Sequence, residues 1–485
     1  MSKLNFEFVP LTFITNKEEI KKQIKNTLIL IHLFEKYNDP TTLKNLIEGT
    51  QYGYNASALQ SGRNKFLRIS DIHESKVDWE TVPFCNCNDE ETYLLKNEDI
   101  LIARTGGTTG KSFKIDTPPS HSIYAGYLIR IRAKQNVNPD YLYLFLHSFA
   151  YWSQIVNLNE GNFRPKANAE NLKALILPNC PRNIQDDVVR ISQGENLPGY
   201  EELFSKIEKI LFEYEKTQQI ERLFADQLTQ LDNLNQAILQ EAVQGKLVAQ
   251  DAADEPASEL LKRIKAEKAK SGKKEKPLPP IKAEEIPFEI PGSWMWCRLG
   301  EITNYGSSPK AEPSDLKNDT WVLDLEDIEK TTSKLLCKIR FSERNSLSTK
   351  SVFKTGDVLY SKLRPYLDKV IVADEDGVCT TEILPLKCFG ELNPEYFKFA
   401  LKRGDFLKYV SSVTKGMKMP RLGTKEGQMA LIPLPPLSEQ KRIVAEIDKQ
   451  FEKTRQLREH IIANQQATED LLKALLHGAF EVEES

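Results

Sequence analysis

The sequence predicts an α+β protein: two strand-rich, mixed α/β modules separated by a pair of long antiparallel coiled-coil helices, with the two halves related by a pseudo-twofold axis. Three observations predict it. The chain repeats its own strand-and-turn pattern at a nearly constant shift, and each copy runs into a long stretch of helical periodicity. At 485 residues it also exceeds what one hydrophobic core usually organises.

The repeat decides the architecture. Phe66-Leu67-Arg68-Ile69-Ser70-Asp71-Ile72 matches Val322-Leu323-Asp324-Leu325-Glu326-Asp327-Ile328 at a shift of 256, both reading as a strand running into an acidic turn. Leu94 to Leu101 matches Val352 to Leu359 at 258, a polar turn feeding an apolar strand. Asn138-Pro139-Asp140-Tyr141-Leu142 matches Asn393-Pro394-Glu395-Tyr396-Phe397 at 255, and Ala174-Leu175-Ile176 matches Ala430-Leu431-Ile432 at 256. Four matches in one order at almost one shift define a module used twice.

Each copy is followed by apolar residues at steps of three and four. After the first come Leu203, Ile207, Ile210, Leu211, Tyr214, Ile220, Leu223, Phe224, Leu228, Leu231, Leu234 and Ile238, a long amphipathic helix with room for one break. After the second, Ser438 is a possible cap for a helix bearing Ile443, Ile447, Phe451, Leu457, Ile461, Leu471, Leu472 and Leu475. A stripe this narrow buries little by itself, so each helix needs a partner, and the other helix is the expected one. The predicted division is an N-terminal extension over 1–40, a first module over 41–199, central helices over 200–270, a solvated Lys/Pro linker over 271–284, a second module over 285–436 and a C-terminal helix over 437–485. Within the extension a helix is expected from Lys17 to Phe34; between the first long helix and the linker another is expected from Ala257 to Lys270.

Composition narrows the class. With 40% hydrophobic and 28% charged residues the chain is globular, and its densest apolar run, Leu28 to Phe34, is too short to span a bilayer. No basic stretch, apolar core and cleavage site open the chain, so it is expected in the cytoplasm, away from membranes. Seven scattered cysteines read as reduced thiols, and the pair Cys85 and Cys87 has no second ligand pair at zinc spacing, so no metal is expected. The net charge of -3 supplies no global basic field, so any nucleic-acid site must come from local patches.

Two segments imitate enzymes. Thr105 to Ser112 almost fits the P-loop pattern G-x-x-x-x-G-K-[ST], but Phe113 to Pro119 reads as strand and turn where a phosphate-binding helix should open. Asn138-Pro139-Asp140-Tyr141 resembles the N-P-P-Y motif of amino-methyltransferases without its second proline; cap, first-turn proline and first-turn acid explain it as a helix start. No nucleophile elbow, metal-protease motif or histidine cluster appears, so no catalytic residue is expected in this chain.

The turns after the paired strands gather basic, aromatic and small polar residues. In the first module these are Tyr52, Tyr54, Asn55, Arg63 and Lys65, then Arg104, Thr105, Thr108, Thr109 and Lys111, then Asn162, Arg164 and Lys166. In the second they are Lys310, Lys362, Arg364, Tyr366 and Lys369, then Lys415, Lys418 and Arg421. Arginine reads guanine edges, Asn reads adenine, and lysine with loop amides holds phosphates, so the expected partner is double-stranded DNA.

Three segments carry a family resemblance: Asp357-Val358-Leu359-Tyr360-Ser361-Lys362-Leu363-Arg364-Pro365-Tyr366-Leu367-Asp368-Lys369-Val370, Leu434-Pro435-Pro436-Leu437-Ser438-Glu439-Gln440-Lys441-Arg442-Ile443-Val444, and Ile238-Leu239-Gln240-Glu241-Ala242-Val243-Gln244-Gly245-Lys246-Leu247. In combination they resemble the specificity subunits of type I restriction-modification systems. The resemblance implies two target-recognition domains, each reading half of a split asymmetric DNA sequence. It implies helices that dock two methyltransferase subunits and two restriction (translocase) subunits. It places S-adenosylmethionine, ATP and Mg in those partners, with no cofactor on this chain. The docking positions it suggests are Leu228, Leu231, Ile238, Ile447, Phe451, Ile461, Leu472 and Leu475. The first module departs from the pattern, with Ala103-Arg104-Thr105-Gly106-Gly107 in place of the Leu363-Arg364-Pro365-Tyr366 core and Asn179 to Gln185 in place of the proline-rich exit. Rival readings are an autonomous DNA methyltransferase or nuclease, which would modify DNA unaided, and a coiled-coil scaffold, which would bind none.

Overall fold

The computed structural model describes residues 16–73, 76–106, 108–157, 167–270, 277–344 and 347–481. The chain divides into two compact units, one running to Leu223 and resuming at Asn464, the other spanning Phe224–Ala463. Nine helices carry the argument: α1 (Lys17–Tyr37), α2 (Pro139–Leu146), α3 (Phe149–Asn157), α4 (Arg182–Ser192), α5 (Glu201–Val243), α6 (Ala257–Lys270), α7 (Pro394–Lys402), α8 (Gly404–Val413) and α9 (Leu437–Phe480).

In the first unit an antiparallel sheet orders its strands Ile47–Tyr52, Leu128–Ala133, Ile100–Ala103 and Ser112–Lys114. Beside it in sequence, Asn64–Leu67 pairs in parallel with Ser122–Tyr124. The second unit repeats these parts. Val358–Ser361 lies antiparallel between Val370–Val372 and Ile383–Leu386, and Trp321–Leu323 pairs in parallel with Gly377–Cys379. A short antiparallel pair closes each module at its ends: Pro40–Thr42 with Ile176–Pro178, and Met295–Arg298 with Leu431–Leu434.

The repeated sequence patterns are repeated hydrogen bonds. Asp71 and Asp327 each accept the backbone N–H three residues back, from Arg68 at 2.9 Å and Asp324 at 2.8 Å. Asp99 and Asp357 do the same for Lys96 at 2.8 Å and Lys354 at 2.9 Å. Asn138 caps α2 through the amide of Asp140, and Asn393 caps α7 through those of Glu395 and Tyr396. The helix-start reading of both Asn-Pro segments therefore holds. Tyr141 and Tyr396, buried one turn further on, donate to the carbonyls of Pro178 and Pro433 at 2.7 and 2.8 Å, and burial drives both phenols well above their ordinary range.

The first module's exit proves closer to the second's than its sequence suggests. Gln185 Oε1 accepts the amide of Asn138 at 2.8 Å while its Nε2 donates to Cys180 at 2.9 Å. Gln440 does the same for Asn393 and Pro435, at 2.9 and 3.0 Å. Only the neighbours changed. Buried backbone groups need partners, and one glutamine at one place serves both copies.

α5 and α9 are each unbroken, so the break allowed in the first long helix does not occur. Each lends one half to each unit. The first core collects Leu203, Ile207, Ile210 and Tyr214 from the start of α5 with Leu472, Leu476 and Phe480 from the end of α9. The second collects Ile238, Leu239 and Ala242 from the end of α5 with Ile443 and Ile447 from the start of α9. In the second unit Asn235 and Asp232 meet Thr454 and Arg458 in that order, so the pairing is antiparallel.

Three segments are described more closely by the structure than by the sequence. The helix expected within 1–40 forms as α1 and buries Ile24, Leu28, Ile29, Leu30, Ile31 and Leu33 in the first core, and its Thr27 and Asn26 bond the backbone of Phe149 and His147. The linker 271–284 is held from 277 on, because buried Arg298 donates to the carbonyls of Pro279 (2.8 Å) and Pro280 (3.2 Å) and pairs with Glu285 at 3.0 Å. Finally, Leu231, Ile238, Ile447 and Leu472 are buried within this chain, and Leu228, Phe451, Ile461 and Leu475 are half-buried. Leu472 and Leu475 pack in the first core and Ile238, Ile447 and Phe451 in the second. The exposed apolar residues of the same helices are others, among them Leu457 in the second unit and Leu471 in the first.

Candidate nucleic-acid interface

Both modules present their variable turns from one frame. Arg104 donates its amide to Tyr127 O at 3.0 Å and accepts from Ala167 at 3.0 Å; Lys362 donates to Glu382 O at 3.0 Å and accepts from Leu422 at 2.9 Å. Arg104 therefore stands where Lys362 stands, and Tyr127 where Glu382 stands. The backbone agrees and the side chains differ.

In the first unit the Arg104 guanidinium lies over the Tyr52 ring, 4.7 Å from its centroid, and its Nη1 donates to Gly126 O at 3.4 Å. Tyr127, the next residue, is 68% exposed, the most exposed aromatic side chain among the described residues. Asn55 is exposed beside it, packed so closely that a Cβ on Gly126 would fall 2.0 Å from its Oδ1. Stacked guanidinium, open phenol and amide form a contiguous polar and aromatic surface, suited to base edges and phosphates.

Other expected contacts are engaged in the fold. Lys65 donates to the carbonyls of Glu80 and Val82 and sits over Phe84, and Arg63 pairs with Glu90 at 3.0 Å. Buried Thr109 donates to Gly106 O at 2.7 Å, closing the turn that also contains half-buried Thr105, Thr108 and Lys111. The strand Ser112–Lys114 follows that turn, so no helix N-terminus stands where a nucleotide phosphate would need one. Half-buried Tyr54 packs on Tyr93, 5.3 Å between centroids. Asn162, Arg164 and Lys166 lie outside the described residues.

In the second unit Arg364 is exposed with φ of 49°, its amide bonded to Pro420 O at 2.7 Å, and Asp368 ends the same turn with φ of 52°. Left-handed backbone at a non-glycine residue costs free energy and persists only where its surroundings impose it. Here a buried ion pair imposes it. Lys402 of α7 donates to Asp368 Oδ2 at 2.7 Å, to Ser333 Oγ at 2.8 Å and to Thr331 O at 2.8 Å. Burial pushes the Asp368 carboxyl up to about 6 and lowers the Lys402 ammonium. Tyr366, Lys415 and Lys418 are exposed around this turn, and Arg421 is held by Glu382 at 3.0 Å. Lys369 is again structural, donating to Leu325 O at 2.7 Å, with burial lowering its ammonium; exposed Lys310 bonds Ser351 Oγ at 2.8 Å. Tyr127 and Glu382 were missed by the sequence reading; their signal is the matching place of the two residues in the repeat, three past the parallel strand.

The fold and its surface define a class: one α/β module used twice, with a shared frame and unlike turns. Residues 33–193 match the model of the type I restriction modification DNA specificity domain. It is 31% identical over 291 residues to the EcoEI specificity subunit of Escherichia coli, covering 54% of this chain and 47% of that one. It is 34% identical over 273 residues to the EcoAI specificity subunit of the same organism, covering 51% and 44%. The chain thus spans about half the length of these relatives. A solved chain from a type I R-M system shares the fold, with TM-score 0.50 and 18% identity, over 90% of this chain and 98% of that one.

Proposed function

We propose that this chain is the DNA-recognition subunit of a type I restriction-modification complex, without catalytic activity of its own. It reads a bipartite, asymmetric duplex target and docks two methyltransferase and two restriction subunits in the cytoplasm. S-adenosylmethionine, ATP and Mg belong to those partners. One observation carries the reading: frame-equivalent turns, fixed by matching backbone bonds, bear Arg104 with Tyr127 in one unit and Lys362 with Glu382 in the other. A common frame with unlike side chains is what reading two different half-sites requires, since base edges are told apart by side-chain donors and acceptors.

The test is reconstitution with methyltransferase subunits, followed by methylome sequencing and binding to duplexes altered in either half. A split asymmetric motif is expected. Arg104→Ala and Arg364→Ala should each weaken discrimination in one half only, by about 1–3 kcal/mol per lost bidentate contact. Methylation or cleavage by the purified chain alone, or equal loss in both halves, would overturn the assignment.

A further inference from the structure

We propose that one face of α8, beside the Arg364 turn, grips the phosphodiester backbone of duplex DNA irrespective of base sequence. The proposal rests on the DNA-recognition reading and deepens it. α8 packs against the turn Pro365–Leu367, and a shallow groove between them is lined by Tyr366, Lys408, Ser411, Ser412 and Lys415. The last four stand at steps of three and four, so they share one side of α8 and the residues just past its end. All four are exposed, and among the described residues no hydrogen bond or ion pair engages either ammonium group. The nearest acid in sequence, Asp405, is taken up by Arg403 at 2.9 Å and does not offset the lysines.

Two ammonium groups and the Ser411 hydroxyl along a shallow groove are chemistry for phosphate oxygens, whereas Ser412 donates its own proton to Tyr409 O at 2.7 Å. Lysine is a point charge on a flexible stem, well matched to a phosphate and poorly to a particular base edge. The neighbouring Arg364 supplies the planar fork that bases need. In the first unit, at a shift of 255, α3 places Ser153, Val156 and Asn157 where α8 has Lys408, Ser411 and Ser412, and Ser153 is buried. Among the described residues the grip belongs to the second unit.

Binding of the full chain to a mixed-sequence duplex across a salt series tests this. Releasing counterions gives a slope of log affinity on log salt of about -0.9 per phosphate contact, so K408A/K415A should flatten the slope by roughly 1.8. K408R/K415R should keep it. Affinity for target and scrambled duplexes should fall by the same factor, whereas Arg364→Ala should act on the target alone. An unchanged slope in K408A/K415A overturns the grip. Loss of a partner subunit with the slope intact also overturns it and assigns the face to an acidic protein surface. If the unsubstituted chain binds no duplex, the DNA-recognition reading itself fails, a result distinct from both.

Discussion

The strand Ile100–Ala103 and the strand Val358–Ser361 end in the same frame and hand over to unlike turns. In the first unit the turn is closed by neutral hydrogen bonds, from Thr109 to Gly106 and from Tyr151 of α3 to Gly110 O at 2.7 Å. In the second it is closed by a buried ion pair, Lys402 of α7 with Asp368. At the place of Lys402 in the repeat the first unit has His147, whose Nδ1 lies 3.0 Å from Glu19 of α1 and away from the variable turn. The difference shows how one frame tolerates two unlike turns: bonds shared by both units stop at the base of the turn, and each turn recruits its own support beyond it.

Lys402→Met breaks this comparison most severely. It leaves a buried carboxylate without its cation, which costs about 3–5 kcal/mol. The sign with pH follows from Asp368, whose folded value of about 6 lies above the ordinary carboxylate range. Losing Lys402 raises it further, so below pH 6 the acid takes up a proton and part of the cost disappears. Urea unfolding at pH 5 and pH 8 should show the greater destabilisation at pH 8. His147→Ala should cost only about 1 kcal/mol, as for a single replaced hydrogen bond. Equal losses would mean that the cost at Lys402 is that of any buried polar side chain at this place in the repeat rather than of the ion pair.

Gln185→Ala and Gln440→Ala test what the units share. Each removes the partner of a half-buried backbone amide and a buried carbonyl, at a cost of about 1–3 kcal/mol. The two losses should agree, because the bonds agree to 0.1 Å. Hydrogen exchange at Asn138 and Asn393 would report each site separately; protection lost in one variant alone would sink the claim of a common frame.

These tests also mark what could be read without coordinates. The strands, capped turns and helix starts were legible because Asp99 and Asp357, or Asn138 and Asn393, bond within three residues of themselves and leave a local pattern. Lys65 and Lys369 look like surface cations in sequence; their carbonyl partners lie 15 and 44 residues away, a separation no spacing rule reports. α1 was visible as a helix and invisible as core, because its apolar face is matched by α2, α3 and α4 rather than by any neighbour in sequence. Five of the eight helix positions expected to dock partners pack within the chain's own cores, for a related reason. Periodicity shows which face of a helix is apolar and not whether the chain itself covers it.

The smallest expected effect concerns the two exits. Around Gln440 the second unit adds a polar strap: Glu439 accepts from Trp294 Nε1 at 2.8 Å, and Asp254 pairs with Arg442 at 2.7 Å. At the same shift the first unit has Ile184 packed on its core and Asp187, 3.4 Å from the Tyr200 hydroxyl. The Arg442 guanidinium and the Ser438 hydroxyl hold the Asp254 carboxyl below its usual range. A depressed folded value contributes stability above the ordinary carboxylate range and loses it as pH falls through the folded value. Arg442→Ala should therefore lower the melting temperature slightly at pH 7, with the gap to the unsubstituted chain closing as pH falls below about 4. The pair is partly exposed, so the gap should also shrink in high salt. A gap independent of both pH and salt would mean that Arg442 acts by packing its stem, and the exits would then differ in shape rather than in charge.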